Sequence, residues 1–354
     1  MKKSFFYILT FFLSLIFIII TTEIFFGNWF GVNKWQKAYY LNIVQDRRII
    51  YKVDNLYGFK EKEILHTRDK YGFRKSCKNI DEINVISIGG STTDQRYIND
   101  GKTFQDYIEK YYKKKNKKIC IANAGVSGHT TFGHIESFKS WFNLIENFNP
   151  KYFILYIGLN DVGQLSVRDK FDTLAVESTL REKSAIYYVL SRLRNYIPEL
   201  FKFTSAYGLK ISPPNHQDYV INNLSSDIEK LKDKNVEIFT KNFNLILNEI
   251  KKYNGIPICI TQPHLYINEN NLGLEVGFNY DGTNFNGKDF NFVLKEFNKV
   301  MKKLCTRENS FFIEIDIKKF ERDDYYDTEH LNPIGTLKLS NHLIDQFEKL
   351  KIFY

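Results

Sequence analysis

The sequence predicts an α/β protein: a three-layer α/β/α sandwich on a five-stranded parallel sheet, preceded by a transmembrane helix. Five apolar runs of strand length predict the sheet: Ile83–Ile88, Lys118–Ile121, Tyr152–Ile157, Ile256–Thr261 and Phe311–Ile315. Runs buried on both faces are the mark of parallel strands. The long segments between them leave room for the helix that each right-handed crossover needs. An apolar run from Phe5 to Thr22 after Met1-Lys2-Lys3 predicts the transmembrane helix.

The elements follow in order. Eighteen residues at ~1.5 Å each come just short of the ~30 Å hydrocarbon core. The run is longer than the ~7–15 residues of a signal-peptide core, and Thr21-Thr22-Glu23 is a poor cleavage site, so an uncleaved anchor over residues 1–22 is expected. Lys2 and Lys3 then stay cytoplasmic and the remainder lies outside, in the periplasm or beyond, as a single-pass inner-membrane protein. Residues 23–82 read as a juxtamembrane lead-in with interfacial aromatics, among them Trp29, Phe30 and Trp35. From 83 to 354 strand and helix alternate, with helices expected over Thr103–Lys114, Thr131–Asn147, Tyr219–Tyr253 and Pro333–Lys351. Residues 162 to about 217 interrupt that rhythm as an insertion. Leu190, Leu193, Ile197, Leu200 and Phe201 recur there at helical spacing, and Pro198 breaks the helix.

Composition narrows the function classes. The 354 residues are 43% hydrophobic and 16% aromatic, enough for a sizeable core. The net charge of +9 is concentrated in runs such as Lys113–Lys118, which reads as a solvated helix end, and no aromatic-plus-basic RNA-binding signature accompanies it. No nucleic-acid partner is expected. The four cysteines fit no metal spacing. Cys120 and Cys259 fall in strands as small apolar residues, and Cys77 and Cys305 are open to pairing if the chain leaves the cytoplasm. Neither a metal nor a cofactor is expected.

Four short blocks follow four of the predicted strands: Gly89-Gly90-Ser91-Thr92-Thr93, Asn123-Ala124-Gly125, Gly158-Leu159-Asn160-Asp161 and Asp327-Thr328-Glu329-His330. The carboxyl ends of parallel strands share one edge, where ligands bind, so the blocks should meet. A serine hydroxyl needs a base to become a nucleophile. His330 supplies one that is largely neutral near pH 7, and Asp327, three residues earlier, would fix its tautomer. The Ser91 N–H, the Gly125 N–H and the Asn160 side-chain amide are candidate donors to a developing oxyanion. Thr92, His129 and Asp161 follow the same strands, His264 follows Ile256–Thr261 and should reach the same edge, and all four are candidate pocket residues.

In this order the blocks resemble the SGNH hydrolases, the GDSL-type esterases and lipases, over roughly residues 83–354. The match falls on Ser91, Gly125, Asn160 and His330, and the usual Gly-Asp-Ser is Gly89-Gly90-Ser91 here. Arg68–Arg74 resembles the Gly-Phe-Arg element that precedes the serine block in bacterial membrane-linked relatives. The resemblance implies a serine esterase that forms an acyl-enzyme and acts on carbon–oxygen esters, with O-acetyl groups on an envelope glycan as its expected substrate. It leaves open O-acetyl transfer to a cell-surface polysaccharide, and a non-catalytic glycan-binding or assembly role on a retained hydrolase fold.

Overall fold

A computed structural model of the chain describes residues 2–30, 35, 38, 41–74, 77–162, 172, 183–190, 193, 204–205, 211–221, 223–269, 273–279, 285–306 and 310–354. Of the insertion, most of 163–210 lies outside these, including Ile197, Pro198, Leu200 and Phe201.

The central sheet has five parallel strands: β3 (Val85–Gly89), β4 (Ile121–Gly125), β5 (Tyr152–Tyr156), β8 (Ile256–Ile260) and β11 (Phe311–Ile313). They lie in the order β11-β8-β5-β3-β4. Alternate side chains fill two cores. Ile86, Ile88, Phe153, Leu155 and Cys259 face one, under α4 (Thr131–Ser140), α6 (Ile228–Lys252) and α7 (Gly287–Cys305). Val85, Ile154, Tyr156, Ile258 and Ile260 face the other, under α3 (Phe104–Lys114) and α8 (Pro333–Lys349). The expected α/β/α sandwich is present.

Local sequence sets the helix starts. Thr103 and Asp106 form a capping box on α3, Asn286 and Asp289 one on α7, and Asn332 caps α8 ahead of Pro333. The helix expected from Tyr219 begins only at Ile228. Tyr219–Val220 is instead strand β7, paired with β10 (Glu275–Phe278), which also pairs with β9 (Ile267–Glu269). Helix α1 (Lys2–Phe26) is apolar and long enough to cross a membrane, and it is exposed along its length. The Thr10 and Thr21 hydroxyls donate to the carbonyls of Phe6 and Phe17, leaving no polar hydrogen for lipid to meet there.

Two expectations are corrected. The lead-in is not a bare stalk: β1 (Arg47–Lys52) and β2 (Glu63–Arg68) form an antiparallel hairpin, which β6 (Thr204–Ser205) extends. Ile49, Tyr51 and Ile64 of the hairpin pack with Tyr97 and Tyr326. Cys77 bonds Cys120, and Cys259 bonds Cys305. Cys120, just ahead of β4, lies beside the loop residue Cys77, and Cys259 of β8 lies beside Cys305 at the end of α7, so Cys77 and Cys305 are not paired with each other.

Candidate active site

The registers Gly89↔Gly125 and Gly89↔Tyr156 align the ends of β4, β3 and β5. The blocks that follow these strands therefore open on one edge. Ser91 begins the short helix α2 (Ser91–Asp94) directly after β3. A Cβ at Gly90 would collide with the Asn160 amide nitrogen, so a side chain there would have to displace that amide.

His330 Nε2 lies 2.7 Å from Ser91 Oγ, and His330 Nδ1 lies 2.8 Å and 3.0 Å from the two Asp327 oxygens. Asp327 Oδ1 also accepts from the N–H groups of Glu329 at 2.8 Å and His330 at 2.7 Å. These two bonds hold the four-residue loop so that both side chains project from it. The Tyr326 ring stacks on His330 at 5.4 Å, and Tyr266 Oη donates to Glu329 Oε1. Burial works to raise the Asp327 carboxyl, but the His330 charge and hydrogen bonds outweigh it and hold it below its usual value. Burial works to lower His330, and the Asp327 carboxylate outweighs that, leaving the imidazole above its usual value. Serine, base and acid form one relay that can take the hydroxyl proton.

A base must be neutral to accept that proton, so kcat/KM should rise with pH through an inflection above the ~6.5 of a free imidazole and then level. Asp327→Asn should move the inflection down, because the carboxylate is what raises it. A pH–rate profile that keeps its inflection in the variant would dismiss this pairing. Stability follows the same pair. The contribution of His330 is complete below ~6.5 and fades as pH rises through its raised folded value, and that of Asp327 is present above ~3.9 and fades as pH falls.

The donors differ from expectation at one residue. Gly125 is the last residue of β4, and its N–H donates to Asn123 Oδ1 at 2.9 Å while its carbonyl accepts from Arg68. It is thus no open donor. It is glycine because a Cβ there would strike the backbone of Thr93 and Asp94, so it lets α2 seat on β4. The turn beyond it holds Gly128 at φ +82°, and among the described residues the N–H groups of Ser91 and Gly128 meet no protein acceptor. Asn160 Nδ2 donates to the His129 carbonyl at 2.8 Å, which fixes the amide beside Gly90 and next to Gly128.

The four pocket candidates are mostly structural. Asp161 Oδ1 accepts from Thr131 N at 3.0 Å and Thr131 Oγ1 at 2.6 Å, securing the start of α4. His129 is buried against the Leu41 carbonyl at 2.7 Å, and burial lowers it to about 4. His264 is buried and lowered by burial to about 3, stacks on Tyr266, and faces a separate groove of about 560 Å³ lined also by Tyr219, Phe320 and Arg322. Thr92 alone borders the Ser91 cavity, its Oγ1 accepting from Gln262 at 2.7 Å. Among the described residues, Cys77, Glu109 and Cys120 bring metal-ligating atoms together, but both sulfurs are in a disulfide and are not thiolate ligands.

A buried charge cluster lies behind Ser91, and its two arginines fall in the stretch that reads in the sequence only as a lead-in. Arg68 Nη2 donates at 2.6 Å to both Asp94 Oδ1 and the Gly125 carbonyl, and Nη1 reaches the Gly72 carbonyl at 2.7 Å. Arg74 holds the carbonyls of Asp94, Gln95 and Ile98 and the Asp100 carboxylate. Burial opposes the Asp94 charge, but the Arg68 guanidinium holds its carboxyl well below the usual range. His66, 3.2 Å from Asp94, is lowered by burial to about 4 and is neutral. Two arginines six apart, Arg68 at the end of β2 and Arg74 after the turn that follows it, were the available signal.

The sequence profile of the GDSL-like lipase/acylhydrolase family matches residues 87–336, well over half of the chain. The chain belongs to this family. No curated protein matches it in sequence. Similar solved structures include the acetyl xylan esterase AlAXEase (15% identity, TM-score 0.41, 75% of this chain and 99% of that one). Others are a catalytic mutant of an acetylxylan esterase from Geobacillus stearothermophilus (13%, 0.42, 74% and 92%) and a psychrotrophic esterase from Pseudoalteromonas sp. (12%, 0.37, 75% and 98%). As a GDSL-like acylhydrolase the chain is a serine ester hydrolase, and its parallel sheet carries the family's motifs at the strand ends.

Proposed function

We propose that this chain is a membrane-anchored esterase that removes short acyl groups, chiefly O-acetyl, from a glycan of the cell envelope. Ser91 is the nucleophile, His330 the base and Asp327 its orienting acid. The observation that carries the reading is the unbroken relay, 2.7 Å from Ser91 to His330 and 2.8 Å on to Asp327.

Ser91 Oγ attacks the ester carbonyl as its proton passes to His330 Nε2. The oxyanion is met by the Ser91 N–H, the Asn160 amide and, in place of Gly125, the Gly128 N–H. His330 returns the proton to the leaving sugar hydroxyl, and the acyl group stays on Ser91. Water, deprotonated by the same imidazole, then attacks the acyl-enzyme and releases the carboxylic acid with Ser91 restored. Three preorganised donors suit the transition state, where the charge develops.

Acyl size is read from the cavity between Ser91, Thr92, Tyr97, Tyr156 and His330, only about 10 Å³. That is room for about one water-sized group, the scale of a methyl. Location outside the cytoplasm is supported by the cysteines, all four of which are in disulfides, since such bonds persist in oxidising compartments. With Lys2 and Lys3 opening α1, the catalytic part then follows the membrane on its outer side, where esterified envelope polymers are found.

The test compares p-nitrophenyl acetate with the butyrate, and follows acetate release from acetylated glycans by mass spectrometry. Forcing two further methylenes into so tight a cavity costs about 1–3 kcal/mol, so kcat/KM should fall roughly 5–150-fold. Equal rates on both esters would dismiss the short-acyl reading, and acetylated acceptor dominating over free acetate would replace hydrolysis with transfer.

A further inference from the structure

The chain after α1 turns back onto the segment at 183–193. The Glu23 carboxylate accepts from Trp29 Nε1 at 2.9 Å, Ser184 Oγ at 2.7 Å, and the N–H groups of Ala185 at 3.0 Å and Ile186 at 3.1 Å. The Asn28 N–H reaches the Lys183 carbonyl at 2.8 Å. Glu23 thus satisfies the opening N–H groups of the helical residues 185–190, and so fixes where that segment starts relative to the anchor.

That segment is apolar on the wrong side for a soluble protein. Ile186, Val189, Leu190 and Leu193 recur at i, i+3, i+4 and i+7, one face of a helix. Val189 is 50% exposed, Leu190 60% and Leu193 49%, while Ala185 on another side is buried. Beside them the end of α1 and the turn after it leave Phe25, Phe26 and Phe30 exposed. Helix α1 is 25 residues long, about 37 Å at ~1.5 Å per residue, so its last turns pass beyond a ~30 Å hydrocarbon core. Glu23 therefore sits at headgroup depth, and the stripe begins there.

We propose that residues 183–190, with Leu193, form a second membrane contact, lying in the interface with its apolar stripe in lipid. The occupant is lipid because the stripe is continuous with the exposed surface of α1 and is tied to it at the depth where the bilayer ends. Interfacial helices bury such a face ~5–10 Å into the headgroup–acyl boundary. Two contacts, one spanning and one lying flat, fix the tilt and rotation of the catalytic part over the membrane. The inference rests on α1 being an anchor.

All four native cysteines are in disulfides, so one introduced thiol can carry an environment-sensitive NBD probe on the full chain. The chain is placed in nanodiscs of phosphatidylcholine and phosphatidylglycerol, with probes at Leu190→Cys, Phe17→Cys within α1 and Lys251→Cys on α6. The expected result is blue-shifted emission at 190, with most of it lost to lipids carrying a shallow doxyl group. Position 17 should respond to deep doxyl groups and 251 only to aqueous iodide. Iodide quenching at 190 equal to that at 251, with 17 still in lipid, overturns this inference and leaves the anchor standing. Shielding at 190 from both quenchers means that protein, a second copy included, covers the stripe, and also overturns it. Exposure of 17 to iodide removes the anchor itself.

Discussion

Ser91→Ala should lower kcat by on the order of 10⁴–10⁶-fold and abolish labelling by a fluorophosphonate, with the chain still folded. The size follows from the relay. His330 and Asp327 act only through the Oγ that lies 2.7 Å from Nε2, so removing it idles all three groups at once. For the same reason Ser91→Ala combined with His330→Ala should cost little more than either change alone. Persisting label in Ser91→Ala would move the nucleophile elsewhere, and additive losses in the double variant would show that the residues do not work as a unit.

Arg68→Met should destabilise the fold by about 3–5 kcal/mol, because among the described residues the buried Asp94 carboxylate then keeps only Arg96, 3.8 Å away and more exposed, as a cation. His66 is lowered chiefly by burial in the intact cluster, where the Arg68 charge also works against its protonation. The pair differs from a surface ion pair in being shielded from water on both sides, with Arg68 and Asp94 nearly fully buried. Asp94→Asn in the Arg68→Met background should recover part of the loss, since removing both charges is cheaper than removing one. Denaturant unfolding of the four chains measures the cycle. A single-variant loss under ~1 kcal/mol would mean that the pair behaves like an exposed one. Kinetically, Arg68→Met should lower kcat, because Asp94 closes the short helix that Ser91 opens and Arg68 holds that carboxylate in place.

What the sequence made legible was whatever local pattern controls. Five apolar runs marked the sheet, and the blocks after them gave Ser91, Asn160, Asp327 and His330 their shared edge. One small displacement of a strand had a large consequence. The second run was read as ending near Ile121, yet β4 runs to Gly125, so the loop expected there is ladder and Gly125 has its N–H engaged. The turn, and with it the open N–H, comes three residues later at Gly128. Apolarity at 118–121 could not reveal this, because Asn123 is held in the strand by long-range bonds, its amide to the Thr93 carbonyl and its backbone to that of Arg74. Disulfide pairing was hidden in the same way. Cys120 precedes a strand and Cys259 lies within one, but their partners depend on which loop or helix the fold lays beside each. The β1–β2 hairpin was missed because its inward face packs on Tyr97 and Tyr326, residues far along the chain.

The adjacent residues Asn160 and Asp161 bind the second loop at two points. Asn160 holds the His129 carbonyl, and Asp161 holds the Thr131 N–H and hydroxyl, which Asn242 also reaches from α6. The polypeptide is therefore bolted down immediately before Gly163, where the interruption of the strand–helix rhythm begins. The stretch that follows ties back to the same loop, since the buried Asp172 accepts from the Thr130 N–H and hydroxyl at 2.7 Å and from the Gly133 N–H at 3.2 Å. Exchanging that stretch between relatives therefore has to keep a carboxylate at 172 as well as Asn160 and Asp161, and a graft that drops it should loosen the start of α4 and the His129 carbonyl that Asn160 holds.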